Sequence, residues 1–226
     1  MGPRTACRIR SRSPRVDSIF CRGWHDTGMG GIGEQRSLFE TPAKVPEGFV
    51  YQPDFIAAAD EQELIREIEK LHLAPFKYYQ FTGKRRTLSF GWQYEFGTHE
   101  ITRAPDLPAF LLPVRARAGA LFHIDPSKLV QASVIEYSTG APIGWHRDIP
   151  QFGAVVGLSL GAACRMRFRR YRRVRSGSSG HEQVLSVELR PRSIYLMSGA
   201  AREIWQHSIA PVKELRYSIM LRTLRC

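Results

Sequence analysis

Beyond Val130 the chain is cut into short segments in which apolar and polar residues alternate, separated by Gly and Pro: 131–137, 154–160, 164–171, 183–189, 193–198 and 215–223. A period of two puts successive side chains on opposite faces of a strand, so each segment buries one face. The clearest case is Cys164, Met166 and Phe168 on one side of a strand with Arg165, Arg167 and Arg169 on the other. Six such strands without intervening helices must cover one another, which points to a jelly-roll type barrel.

Ahead of these strands the spacing changes. Phe49-Val-Tyr51 reads as a short strand, and 60–71 as an amphipathic helix with Leu64, Ile68 and Leu71 on one stripe. A second helix is expected from about Leu107 to Ala120, since Leu111, Val114 and Ala118 recur at helical spacing. The expected fold class is mostly β (α+β), a jelly-roll core with one or two flanking helices.

At 226 residues and 43% hydrophobic content the chain can bury one sizeable core. Residues 45–226 are expected to form that domain. Residues 1–44, rich in Arg, Gly and Ser at their start and without apolar periodicity, read as a disordered basic tail, or as an upstream extension with Met29 as the working start. No run of 18 apolar residues predicts a membrane span. Four cysteines lie far apart without C-x-x-C spacing, so neither zinc nor a disulfide framework is indicated and a cytoplasmic monomer is expected.

The net charge is +12, and residues 45–226 are basic without the tail, which favours a polyanionic partner. Two segments concentrate this charge. In 76–94, aromatic residues interleave with Lys84, Arg85 and Arg86, which suits base stacking and phosphate contacts but also a core hairpin turning at Gly83. In 165–175, seven arginines in eleven residues lead toward Ser-Gly-Ser-Ser-Gly (176–180), either as a solvated strand face or as a phosphate-binding row.

The chemistry concentrates elsewhere. Gly144-Trp-His-Arg-Asp148 places His146 and Asp148 two apart, on one side of an extended segment, and Trp205-Gln-His207 supplies a second imidazole from a distant strand. Two neutral nitrogens and one hard oxygen on one face of an octahedron suit Fe(II) and leave three positions open for reaction. A second H-x-D, His123-Ile-Asp125, has another explanation: Asp125-Pro-Ser reads as a helix N-cap with Pro at the first helical position. Arg216 and Arg222, six apart, share a strand face and could hold a dianion.

The runs Val134-Ile-Glu-Tyr137, Gly144 to Asp148, Val156 to Gly161, Ser193 to Gly199, Trp205 to Ile209 and Arg216 to Arg222 together resemble the AlkB branch of the 2-oxoglutarate- and Fe(II)-dependent dioxygenases, over about residues 45–224. The resemblance implies a double-stranded β-helix, with His146, Asp148 and His207 as catalytic iron ligands. It implies that Arg216 binds the distal carboxylate of 2-oxoglutarate, assisted by Arg222, the Tyr137 hydroxyl and Ser218, and that O2 is the oxidant. It further implies a substrate lid around 76–94, which nominates Tyr78, Arg86 and Phe90, joined by Trp145. Four positions depart from the family pattern: Ile135 and Met220 replace polar residues, Ser218 replaces Asn, and Pro150 replaces an acid that contacts the target base.

Two functions stay open on these residues. One is oxidative dealkylation of alkylated nucleobases in DNA or RNA, with release of succinate, CO2 and formaldehyde, as in DNA repair; the basic, aromatic 76–94 segment favours it. The other is hydroxylation or demethylation of a protein side chain or small metabolite, favoured by Pro150 and the altered arginine motif. A binding module without turnover would require the complete metal triplet to be idle.

Overall fold

The alternation continues upstream of Val130, and the chain folds into more strands than the six expected. The computed structural model describes residues 44–171 and 183–225, apart from the side chains of Tyr78 and Phe81. In chain order the elements are β1 (Phe49–Gln52), α1 (Ala58–Glu69), β2 (Ala74–Tyr78), β3 (Phe81–Phe90), β4 (Trp92–Glu95), β5 (Glu100–Arg103), α2 (Leu111–Phe122), β6 (Leu129–Tyr137), β7 (Ile143–His146), β8 (Phe152–Gly161), β9 (Cys164–Arg170), β10 (Leu185–Leu189), β11 (Ile194–Met197), α3 (Gly199–Glu203), β12 (Trp205–Ile209) and β13 (Arg216–Leu224). The tail expected at 1–44, save Lys44, and the part of the Arg165–Arg175 cluster beyond Tyr171, with the glycine-serine turn, lie outside the described residues.

Three layers result. A seven-stranded sheet runs β1-β11-β8-β13-β6-β3-β2, a four-stranded sheet runs β10-β9-β12-β7, and β4-β5 form a separate ribbon. On one side of the large sheet, Leu64 and Ile68 of α1 and Leu111, Val114 and Ala118 of α2 pack with Val134, Leu158, Ile219 and Leu221. On the other side, Ile135, Tyr137, Val155, Tyr195 and Met220 meet Cys164, Met166, Phe168 and Ile209 of the small sheet. The alternation of β13 divides it between these cores: Tyr217, Ile219 and Leu221 face the helices, whereas Met220 faces the small sheet. Arg216, Ser218 and Arg222 share the phase of Met220, so their polar groups enter the space between the sheets.

One detail differs from the sequence reading and another agrees with it. The β2–β3 hairpin turns at Tyr79-Gln80, between the paired residues Tyr78 and Phe81, with Tyr79 in the left-handed region at φ 51°. Gly83 lies inside β3 instead, since the two-residue loop is already closed at Tyr79. Asp125 does cap the short helical turn 126–128, its side chain accepting from the Ser127 backbone amide at 2.9 Å.

Candidate active site

β7 and β12 run antiparallel, and their register sets His207 directly opposite His146. The two rings lie 4.2 Å apart between centroids. β9, on the other side of β12, backs His207 with Phe168. Asp148 follows two residues after His146, just past the end of β7, and its side chain is 9% exposed. One donor atom from each of the three residues falls within 4.8 Å of the others, the arrangement of a site that could hold a metal ion.

The protonation states suit a cation. Burial pushes the His207 imidazole down to about 3, with the neighbouring His146 adding to the effect against the pull of Asp148. Burial also lowers His146, offset in part by Asp148. Its Nδ1 stands 2.9 Å from the Gly144 carbonyl, an acceptor only, so the proton sits on Nδ1 and Nε2 keeps a free lone pair. For Asp148, burial acts upward, but His207, Arg222, His146 and Arg202 together bring it down to about 2. Its Oδ2 is buried without a hydrogen-bond partner among the described residues. Neutral imidazoles around an ionised, unsatisfied carboxylate oxygen fit the Fe(II) demanded by the chemistry of this donor set.

Further along the same interior, Arg216 is 1% exposed and its guanidinium lies 4.7 Å from the centre of the Tyr137 ring. Nη2 donates to Ser159 Oγ at 3.1 Å, while Nε and Nη1 are buried without a hydrogen-bond partner among the described residues. Tyr137 and Ser218 are buried beside it, their hydroxyls 3.4 Å apart. A buried guanidinium with two unbonded donors and, among the described residues, no carboxylate partner is suited to receive an anion, which fits the distal carboxylate of 2-oxoglutarate. Gly157 serves the same interior, for a Cβ there would meet the Tyr195 ring at 2.4 Å.

Arg222 is placed differently from Arg216. Its Nη1 donates to Gln131 Oε1 at 2.8 Å and Ser133 Oγ at 3.3 Å, and its Nη2 stands 3.7 Å from Asp148 Oδ1. It thus borders the metal-binding carboxylate, not the Arg216 guanidinium. A second arginine, Arg202 of α3, grips the chain from Asp148 to Gly153. Its guanidinium donates to the carbonyls of Asp148, Ile149, Phe152 and Gly153 at 2.5–3.1 Å. Sequence offered no sign of this role, because backbone carbonyls leave no trace in residue identity.

The residues nominated for substrate divide by strand face. Arg86 donates to the Leu73 carbonyl and reaches Glu136 at 3.5 Å, on the side of β3 turned from the small sheet. Phe90 shares that phase and is buried in the helix-side core, so it is scaffold there. Trp145, one residue before His146, points to the outer face of the small sheet beneath Arg167 and Arg169. The Tyr78 side chain lies outside the described atoms. Arg85, which the sequence offers as one of three consecutive cations, takes the inner phase. It is paired with Tyr137, stacks over Phe76 at 3.7 Å, and acts electrostatically on His146.

The family model described as the 2OG-Fe(II) oxygenase superfamily matches residues 48–225. The Arabidopsis thaliana protein named "Alkylated DNA repair protein ALKBH8 homolog" is 29% identical over 191 residues, covering 76% of this chain and 53% of its own. The Mus musculus "tRNA (carboxymethyluridine(34)-5-O)-methyltransferase ALKBH8" is 25% identical over 181 residues, 75% of this chain and 25% of its own. The chain therefore spans about half the length of the first relative and a quarter of the second. Among solved structures, OsALKBH1 superposes with a TM-score of 0.57 at 14% identity over 78% of this chain and 98% of that one. A Pseudomonas putida prolyl-4-hydroxylase superposes with a TM-score of 0.55, also at 14% identity, over 79% and 93%. At that identity both speak for the jelly-roll fold alone.

Proposed function

The chain belongs to the 2-oxoglutarate- and Fe(II)-dependent oxygenase superfamily and is AlkB-like within it, and from that premise we propose that it oxidatively dealkylates nucleobases of a nucleic-acid strand. His146, Asp148 and His207 would hold Fe(II), and Arg216 with Tyr137 and Ser218 would hold 2-oxoglutarate. When bound, iron, 2-oxoglutarate and O2 supply the oxidising power that yields succinate and CO2 and hydroxylates a substrate C–H bond. An N-methyl group hydroxylated there breaks down to formaldehyde and the free nitrogen.

The chain's own residues do the placing. Arg222 stands 3.7 Å from one oxygen of Asp148 and attracts it electrostatically, while the other oxygen lies toward His207. Arg202 holds the loop that carries Asp148. The observation that carries the choice of nucleic acid is Arg85: a half-buried guanidinium over an aromatic ring, facing the metal cluster, with no ion-pair partner among the described residues. A cation and an aromatic face beside the reacting centre are what a nucleotide requires. The two relatives quoted above carry names that speak of alkylated DNA and of tRNA, and the basic charge of residues 45–226 agrees.

The test is product analysis with Fe(II), 2-oxoglutarate and a panel of N-methylated oligonucleotides and methyl-lysine peptides, reading formaldehyde and substrate mass. Loss of a methylene mass from an oligonucleotide is expected. Turnover confined to a peptide would assign the protein-side alternative, which Pro150, in place of an acid near Asp148, keeps chemically reasonable.

A further inference from the structure

We infer that the outer face of the four-stranded sheet is a docking surface for a nucleic-acid strand, gripped through its phosphates and led toward the cleft beside Asp148. This rests on the reading that nucleic acid is the substrate. Alternation along β9 buries Cys164, Met166 and Phe168 and leaves Arg165, Arg167 and Arg169 in a row on the opposite face. Residues two apart on a strand repeat about every 6.6 Å, so three guanidiniums stand at even intervals.

The row is ordered by neutral groups. Arg167 donates through Nε to Ser208 Oγ at 3.1 Å, and Arg169 through Nε to Gln206 Oε1 at 2.8 Å, both on the adjacent β12. One strand further, the Trp145 ring lies 5.2 Å from the Arg167 guanidinium and 4.6 Å from that of Arg169. These contacts set the side chains without cancelling their charge. Among the described residues, Arg147, Arg165, Arg167 and Arg169 have no ion-pair partner; Glu188, which stands opposite Arg165 across β9 and β10, reaches Arg190 at 3.6 Å, and Glu203 pairs with Arg225. Guanidiniums already ordered lose less freedom on meeting a phosphate, and their forks match its oxygens.

The row leads to a cleft beside the loop that carries Asp148. Arg147 stacks on Tyr171 at 4.3 Å. Both residues, with Gln206, line a cleft of about 480 Å³ that also contains Asp148, Arg202 and Arg225. Gln206 therefore belongs to the cleft and also orders Arg169, so the charged face and the cleft beside Asp148 are continuous. A regularly charged strand lying on the row could enter the cleft without leaving the surface. An acidic protein has no such periodic charge to match.

The experiment is binding of a labelled single-stranded oligonucleotide to the full chain over a decade of salt, up to about 1 M. Each phosphate contact contributes about 0.7 to the log-log slope, so replacing Arg165, Arg167 and Arg169 with Gln should flatten it by about 2. Binding should then be about 100-fold weaker at 0.1 M salt and converge with wild type near 1 M. Lysine at all three positions should retain most of the slope, which guards against a folding artefact. A charge-matched variant with Gln at Arg66, Lys70 and Arg117, on the helix side, should bind like wild type. An unchanged slope in the β9 variant, or equal loss in the helix-side control, overturns the docking face while leaving the proposed function standing. Failure of the wild-type chain to bind the oligonucleotide at low salt, or tighter binding to anionic vesicles or an acidic peptide, overturns both.

Discussion

His207 Nε2 stands 3.7 Å from Asp148 Oδ2, too far for a hydrogen bond, and that oxygen is buried with no other hydrogen-bond partner. The protein thus holds a carboxylate and two imidazoles apart, in a geometry that leaves an unmet electrostatic demand until a cation arrives. Folding carries the cost of this arrangement.

The metal-free protein should lose stability as pH falls below 7. His207 titrates near 6.5 when unfolded and is held to about 3 in the fold, so between those values the unfolded chain takes up a proton that the folded chain refuses. Stability therefore drops as pH falls through that window, with a slope approaching about 1.4 kcal/mol per pH unit. Asp148, lowered from 3.8 to about 2, adds a loss of the same sign at still lower pH. Denaturant unfolding in chelator from pH 7 to 5 checks this, and a flat or rising profile would contradict it.

Arg216→Ala should raise the 2-oxoglutarate requirement with little change in Fe(II) affinity. Losing one partner of a buried charge pair costs about 2–5 kcal/mol, which is tens- to thousands-fold in binding. Arg216→Lys should recover only part of it, because an ammonium cannot reproduce the fork. Co-substrate titration of both variants decides; unchanged affinity would remove Arg216 from that role.

Arg202→Lys should weaken Fe(II) binding although Arg202 is not among the three donors. A single ammonium cannot satisfy four carbonyls spread from Asp148 to Gly153, so the loop loses its grip on the carboxylate. Metal titration beside a melting curve separates the effects. Normal metal affinity in a folded variant would reduce Arg202 to general bracing.

Gly157→Ala should disturb the co-substrate interior through Tyr195. The added methyl cannot coexist with a ring atom 2.4 Å away, so the ring must shift and its hydroxyl contact with Met220 Sδ at 3.6 Å breaks. An increase of several-fold in the 2-oxoglutarate requirement is expected, and an unaltered one would place Tyr195 outside that pocket.

What sequence could and could not reveal follows from which interactions carry a period. Cys164, Met166 and Phe168 declared their face because alternation and burial agree there. The His146, Asp148 and His207 cluster was legible because metal chemistry restricts residue types. Arg85 was legible only as one of three consecutive cations, Lys84, Arg85 and Arg86, and its pairing with Tyr137 is what sets it on the inner face. Trp145, adjacent to His146 in sequence, lies for that reason on the opposite side of β7, beneath Arg167 and Arg169. Phe90 was read as substrate-facing although its phase on β3 sends it to the helices.

The most direct measurement is anaerobic titration of the full chain with Fe(II) and then 2-oxoglutarate, followed by visible absorption, in wild type and in His146→Ala, Asp148→Ala, His207→Ala and His123→Ala. The account predicts one iron per chain and a charge-transfer band on adding 2-oxoglutarate, both lost in the first three variants and retained in His123→Ala. Iron and co-substrate binding that survive His146→Ala but fail in His123→Ala would contradict it.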